Sequence, residues 1–106
     1  IEAVRRVEEI LAVPGLDAVL LGPMDLSASM GRLGQIDHPD VQSAIEKVIA
    51  AARAAGLPVG VPMAADAETL MKWAARGCNL IIAGEQDGLL RRAADTALAD
   101  FRRAFT

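Results

Sequence analysis

The sequence predicts an α/β fold in which three parallel strands alternate with four helices. Three observations carry that reading. Two apolar runs of strand length, Asp17–Gly22 and Asn79–Gly84, do not alternate with polar residues, as befits strands covered on both faces. Around them, apolar residues recur at helical spacing. Glycine and proline fall at the joints between the two kinds of segment.

Taken in order, Ala3, Val7, Ile10 and Leu11 form one face of a first helix, with Glu2, Arg5, Arg6, Glu8 and Glu9 opposite; Pro14-Gly15 ends it. Asp17–Gly22 is the first strand. A loop rich in Gly, Ser and Met runs from Gly22 to about Asp37. His38-Pro39-Asp40 opens a long helix, since proline in the first turn costs no hydrogen bond and acids suit the positive end of the dipole. Val41, Ala44, Ile45, Val48, Ile49 and Ala52 make its apolar stripe, and Gly56 stops it. Pro58–Met63 is the second strand, interrupted by glycine and proline. Asp66 caps a helix that reaches Arg76, buries Leu70, Trp73 and Ala74, and stops at Gly77. Asn79–Gly84 is the third strand. A final helix from about Gly88 to Phe105 turns Leu90, Ala94, Ala97, Leu98, Phe101 and Phe105 inward.

Parallel strands joined by right-handed crossovers are the economical arrangement for this alternation. Three such strands have two bare edges, and the opening helix follows no strand. A complete (β/α)8 barrel takes about 250 residues. The pattern therefore predicts the C-terminal part of a (β/α)8 TIM barrel, from helix five through strand and helix eight. Residues 1–106 form one unit in this reading, with no internal boundary.

Composition narrows the class. A formal net charge of -3 and a pI near 5.0 argue against nucleic acid, which needs a cationic face. Aromatic residues are 3%, too few for a stacking surface. Mean hydropathy of +0.31 is inflated by alanine, and no apolar run approaches the ~20 residues of a spanning helix. No apolar signal-peptide core stands near Ile1, and the single cysteine, Cys78, fits a reducing compartment. A cytoplasmic protein without nucleic-acid or membrane partners is expected.

Active sites of α/β folds lie outside the carboxyl ends of their strands. The first strand runs into Leu21-Gly-Pro-Met-Asp-Leu-Ser-Ala-Ser-Met-Gly31, where an acid follows a glycine and a proline. Gly22 permits close backbone approach, and Pro23 stiffens the turn that carries Asp25. A carboxylate so mounted can take a hard divalent cation together with substrate oxygens. The amides of Met24 and Asp25 can donate to a substrate carboxylate. Alternatively, Asp25 caps a short turn over Leu26–Met30; spacing alone does not decide.

The remaining candidates read as structural. Lys47 and Lys72 fall inside helices, so neither is the strand-end lysine of a Schiff-base enzyme, and a carbanion formed here needs a metal. Cys78 is a buried filler, His38 a helix-start residue, and Arg91, Arg92, Arg102 and Arg103 a polar helix face. Glu85, Gln86 and Asp87 follow the third strand and reach the same rim, although capping the last helix is their simpler role.

Gly22-Pro-Met-Asp-Leu-Ser-Ala-Ser-Met-Gly31 with Gly34-Gln-Ile-Asp-His-Pro-Asp-Val41 resembles the HpcH/HpaI aldolase family, as do Ala54–Gly60 and Gly77–Gly84. The resemblance implies a (β/α)8 barrel and a divalent-metal-dependent aldolase, with Mg²⁺, Mn²⁺ or Co²⁺. Such an enzyme cleaves 2-keto-4-hydroxy acids to pyruvate plus an aldehyde through a metal-stabilised enolate. It implies that Asp25 is a metal ligand and that the amides of Met24 and Asp25 hold the pyruvate carboxylate. Gly22 and Pro23 would shape that loop. Met63 stands where an apolar residue lines the pyruvate pocket, and Met24 where alanine is common. A hexamer is implied, its last helix packed on a neighbouring subunit. The family's second metal-binding carboxylate, its carbonyl-polarising arginine and its acid–base histidine match nothing in these residues and fall ahead of Ile1. The chain therefore holds no catalytic residue beyond the metal ligand, and is expected to be inactive alone. Two alternatives stand beside this one: a citrate-lyase β-subunit-like enzyme acting on CoA thioesters, for which a long basic loop is missing, and a non-catalytic half-barrel that serves as an interaction module.

Overall fold

A computed structural model describes residues 1–62, 66–82 and 84–105. The first predicted helix forms as two short pieces, α1 (Glu2–Arg5) and α2 (Val7–Leu11), broken at Arg6 with φ -107 and ψ 23. Val4 and Val7 are buried on its inner side, whereas Ile10 is exposed. β1 covers Val19–Leu20 only. Residues expected to loop out after it form a helix instead, α3 (Pro23–Ser29), because Pro23 sits at the first helical position, where its fixed φ favours the turn.

α4 (Pro39–Ala54) is the hub, and it contacts α1, α2, α3 and the second strand, β2 (Val59–Gly60). All six residues of the predicted stripe, Val41, Ala44, Ile45, Val48, Ile49 and Ala52, are buried. Burial of such a stripe, rather than propensity, supplies most of a helix's stability. After α4 the chain reverses at Gly56, whose φ of +72 lies where a side chain would be strained.

β1 and β2 pair in parallel, with Val19 opposite Val59 and Leu20 opposite Gly60. Among the described residues, which do not include Ala83, the third predicted strand, Asn79–Gly84, shows one parallel bridge, Gly60 to Leu80. Its start is taken up by Asn79. The Asn79 carboxamide oxygen accepts the Val59 N–H at 2.9 Å, while the N–H groups of Asn79 and Leu80 both donate to the Val59 carbonyl. A side chain thus fills a place that a ladder bond would hold. Among the described residues only one face of the sheet is covered; Leu20 is 53% and Ile81 57% exposed.

α5 (Ala67–Ala75) begins at Asp66, whose carboxylate accepts the Thr69 N–H at 2.8 Å. Of the three residues expected inside, only Trp73 is buried; Leu70 is half-buried and Ala74 exposed. The Arg76 guanidinium lies 4.1 Å from the Trp73 ring and pairs with Glu46 of α4 at 2.6 Å, which ties the two helices.

The last helix, α6 (Gln86–Ala104), corrects the sequence reading most. None of its residues is buried. Leu90, Phe101 and Phe105, expected to face inward, are 73%, 62% and 76% exposed. Nothing among the described residues covers them, and the rings of Phe101 and Phe105 lie against each other with centroids 4.5 Å apart. The molecule is consequently long, 59 × 30 × 22 Å, with a radius of gyration of 17.3 Å. A compact chain of this length comes to about 13 Å.

Candidate functional site

The end of β1 delivers Leu21 and Gly22 to the start of α3. The first backbone bond of that helix runs from the Leu26 N–H to the Gly22 carbonyl at 2.9 Å. The amides of Met24 and Asp25 therefore stand ahead of it, at the end where helical donors have no intrahelical partner. Pro23 is buried, whereas the side chains of Met24 and Asp25 are exposed.

The Asp25 carboxylate folds back beside Gly22, and a Cβ built on Gly22 would lie 2.8 Å from Asp25 Oδ2. Among the described residues no hydrogen bond or ion pair engages that carboxylate. It caps nothing: α3 starts at Gly22 without a side-chain cap. Asp25 and Gly22 border a cavity of about 430 Å³ between α1, α2 and β1. Its walls are otherwise aliphatic, with Val4, Val7, Val19 and Leu21 among them, apart from Ser29.

Beneath the site, Ser27 is fully enclosed, the one buried polar residue among those described. Its hydroxyl donates to the Met24 carbonyl at 2.7 Å and accepts the Gly34 N–H at 3.2 Å. Sequence reading passed over Ser27, because a serine in a Gly- and Ser-rich stretch reads as solvated.

The other candidates fall away from this rim. Met63 lies outside the described residues. His38 starts α4, its Nδ1 accepting the Asp40 N–H at 3.2 Å. Lys47 lies 4.0 Å from Glu8, and Lys72 is exposed on α5. Glu85 stands at the N-cap of α6, just ahead of Gln86, and its side chain makes no capping bond. Cys78 is buried, which pushes its thiol pKa up and leaves it a poor nucleophile. Among the described residues, no three His, Cys, Asp or Glu side chains gather where they could hold a metal. The fit to a cation is thus one hard, unengaged oxygen ligand. That suits an ion completed by substrate and other oxygens, and does not suit an all-protein cage. No helix among the described residues is long and apolar enough to cross a membrane.

Residues 1–90 match the family model described as HpcH/HpaI aldolase/citrate lyase. A 5-keto-4-deoxy-D-glucarate aldolase of Salmonella arizonae is 40% identical over 99 residues, 92% of this chain and 37% of that protein. The crystal structure of an HpcH/HpaI aldolase/citrate lyase family protein from Burkholderia cenocepacia superposes with a TM-score of 0.82 at 41% identity. That match covers 93% of this chain and 38% of the other. An HpcH/HpaI aldolase from Desulfitobacterium hafniense gives 0.81 at 34% identity, over 96% and 39%. The chain thus spans about two fifths of the length of the relatives it matches.

Proposed function

Because this chain belongs to the HpcH/HpaI aldolase/citrate lyase family, we propose that it is the C-terminal part, helix five to helix eight, of a (β/α)8 barrel aldolase. The complete enzyme cleaves a 2-keto-4-hydroxy acid to pyruvate and an aldehyde; the name of the Salmonella relative points to a sugar-acid substrate. The unengaged Asp25 carboxylate, folded over Gly22 where β1 ends, is the observation that carries this reading. Such a position, at the carboxyl end of a strand, is where α/β enzymes place their chemistry.

Asp25 would hold a divalent cation, Mg²⁺, Mn²⁺ or Co²⁺, between which oxygen ligands discriminate little. When bound, the cation supplies Lewis-acid stabilisation of the negative charge that grows as the carbon–carbon bond breaks. The amides of Met24 and Asp25 orient the carboxylate of the oxo-acid, and Gly22 and Pro23 let it approach the backbone. The resemblance assigns the apolar Met63, which lies outside the described residues, to the pyruvate pocket. The second carboxylate ligand, the arginine and the histidine of the reaction come from outside these 106 residues, so the chain alone is inactive. A second copy is the partner we assign to α6, whose apolar face is bare; the whole enzyme is a homo-oligomer, a hexamer, of the cytoplasm.

In the complete enzyme, Asp25→Asn abolishes metal-dependent pyruvate release, measured by a coupled assay. Near wild-type rates in that variant remove Asp25 from the site. Release of acetyl-CoA instead of pyruvate would favour the citrate-lyase branch.

A further inference from the structure

We propose that Ser27 is a positioning residue for the Asp25 amide, acting through the peptide that joins Met24 to Asp25. The inference rests on the aldolase reading above, which supplies the ligand, an oxo-acid carboxylate; Ser27 itself does not touch that ligand.

The Met24 carbonyl and the Asp25 N–H belong to one planar amide. Whatever holds the carbonyl sets the direction of the N–H and the origin of the Asp25 side chain. The Ser27 hydroxyl donates to that carbonyl at 2.7 Å. A serine in a helix often bonds back to the preceding turn in this way, and there the hydroxyl is commonly free to rotate. Here it is not. The same oxygen accepts the Gly34 N–H at 3.2 Å from seven residues further on, so both its donor and an acceptor site are engaged. The Ser27 main chain adds to the tie, its carbonyl accepting from the N–H groups of Arg32 at 2.8 Å and Met30 at 3.2 Å. The turn after α3 is thereby laced to the turn that carries Asp25. Ser27 itself is fully enclosed, so water does not replace either partner at its hydroxyl.

The neighbourhood sharpens the inference. Leu26 and Val41 are buried nearby in sequence or on the helix that α3 packs against, so an apolar residue at position 27 would suit the core as well. A hydroxyl is needed only by the Met24 carbonyl and the Gly34 N–H. Without it, the Gly34 N–H loses this partner and the Met24–Asp25 peptide loses the side-chain bond that helps to fix its tilt. The metal-binding carboxylate, at the far end of a rotatable side chain, depends on that tilt less than the amide does.

The test is made in the complete enzyme with Ser27→Ala and Ser27→Cys, the thiol being a weaker donor of similar shape. Three quantities are measured: the KM for pyruvate in the condensation direction, kcat, and Mn²⁺ affinity by electron paramagnetic resonance without substrate. The expected result is a pyruvate KM raised about tenfold by alanine, as for a lost hydrogen bond to a charged group, and raised less by cysteine. Expected kcat and Mn²⁺ affinity stay within about threefold of wild type. An unchanged pyruvate KM in a folded variant overturns the inference. So does a parallel fall in pyruvate and Mn²⁺ binding, which is the mark of general loosening. If alanine prevents folding, the cysteine variant decides by the same criteria. A wild-type enzyme that neither forms nor consumes pyruvate overturns the aldolase reading itself, and is told apart because it needs no variant.

Discussion

At position 22 the space for a side chain is already taken. A methyl there would meet Asp25 Oδ2 at 2.8 Å, and the carboxylate, being the movable partner, would swing away. Gly22→Ala in the complete enzyme should therefore leave the fold intact and lower Mn²⁺ affinity on the order of tenfold, as displaced ligand supports do; titration with Mn²⁺ measures it. The φ of Gly22 is -92, so the requirement is for room and not for a left-handed backbone. The sequence placed Gly22 and Asp25 together at a strand end but left open whether Asp25 caps a turn; the structure shows no cap there. The role of Ser27 was not legible. Its enclosure depends on Gly34 arriving from the next turn, and no local pattern encodes that meeting.

Helices divide sharply in how well the sequence announced them. In α4 the apolar spacing, the His38 start and the Gly56 stop were all readable, and the six stripe residues are buried. Ile45 is wholly enclosed at its centre, so Ile45→Ala should cost about 2–5 kcal/mol in a urea titration of the complete enzyme. α5 adds a pH dependence. The Thr69 amide that Asp66 caps holds the Asp66 carboxyl below its ordinary value of 3.8. A depressed pKa means that the cap's contribution is fully present above about pH 4 and is lost as pH falls through the lowered value. Acid should fray the first turn of α5 in that window, followed by amide exchange at Thr69. Asp66→Asn should keep a cap at neutral pH and abolish this acid step. In α6 the periodicity correctly grouped Leu90, Leu98, Phe101 and Phe105 on one face, yet the inward assignment failed. Spacing reports which residues share a side, and it is silent on whether anything covers that side. Among the described residues the third strand shows a single bridge for a related reason: its residues are apolar enough for a ladder, but Asn79 supplies a side-chain bond where the main chain would pair.

At the scale of the molecule, a radius of gyration of 17.3 Å and a helix with no buried residue describe a surface made for company. Exposed aromatic residues on α6 are each worth about 1.5–3 kcal/mol if buried. The 106-residue chain should therefore associate as concentration rises, seen by sedimentation velocity. Phe101→Glu with Phe105→Glu should hold it monomeric, and unchanged association in that double variant would move the contact elsewhere. The α/β alternation was legible because apolar runs of strand length fall between stretches of helical spacing. The extent of each strand was not, since pairing depends on neighbours across the sheet.

The pairing of β1 with β2 also sets an order of events in time. Val19 meets Val59 across roughly forty intervening residues, and α3 and α4 lie within that span. Closing so long a loop should be slow until α4 has coiled against α1 and α2, so the sheet is expected to zip late. Weakened packing in α4 should then retard folding, and weakened strands should mainly hasten unfolding, as stopped-flow kinetics would read.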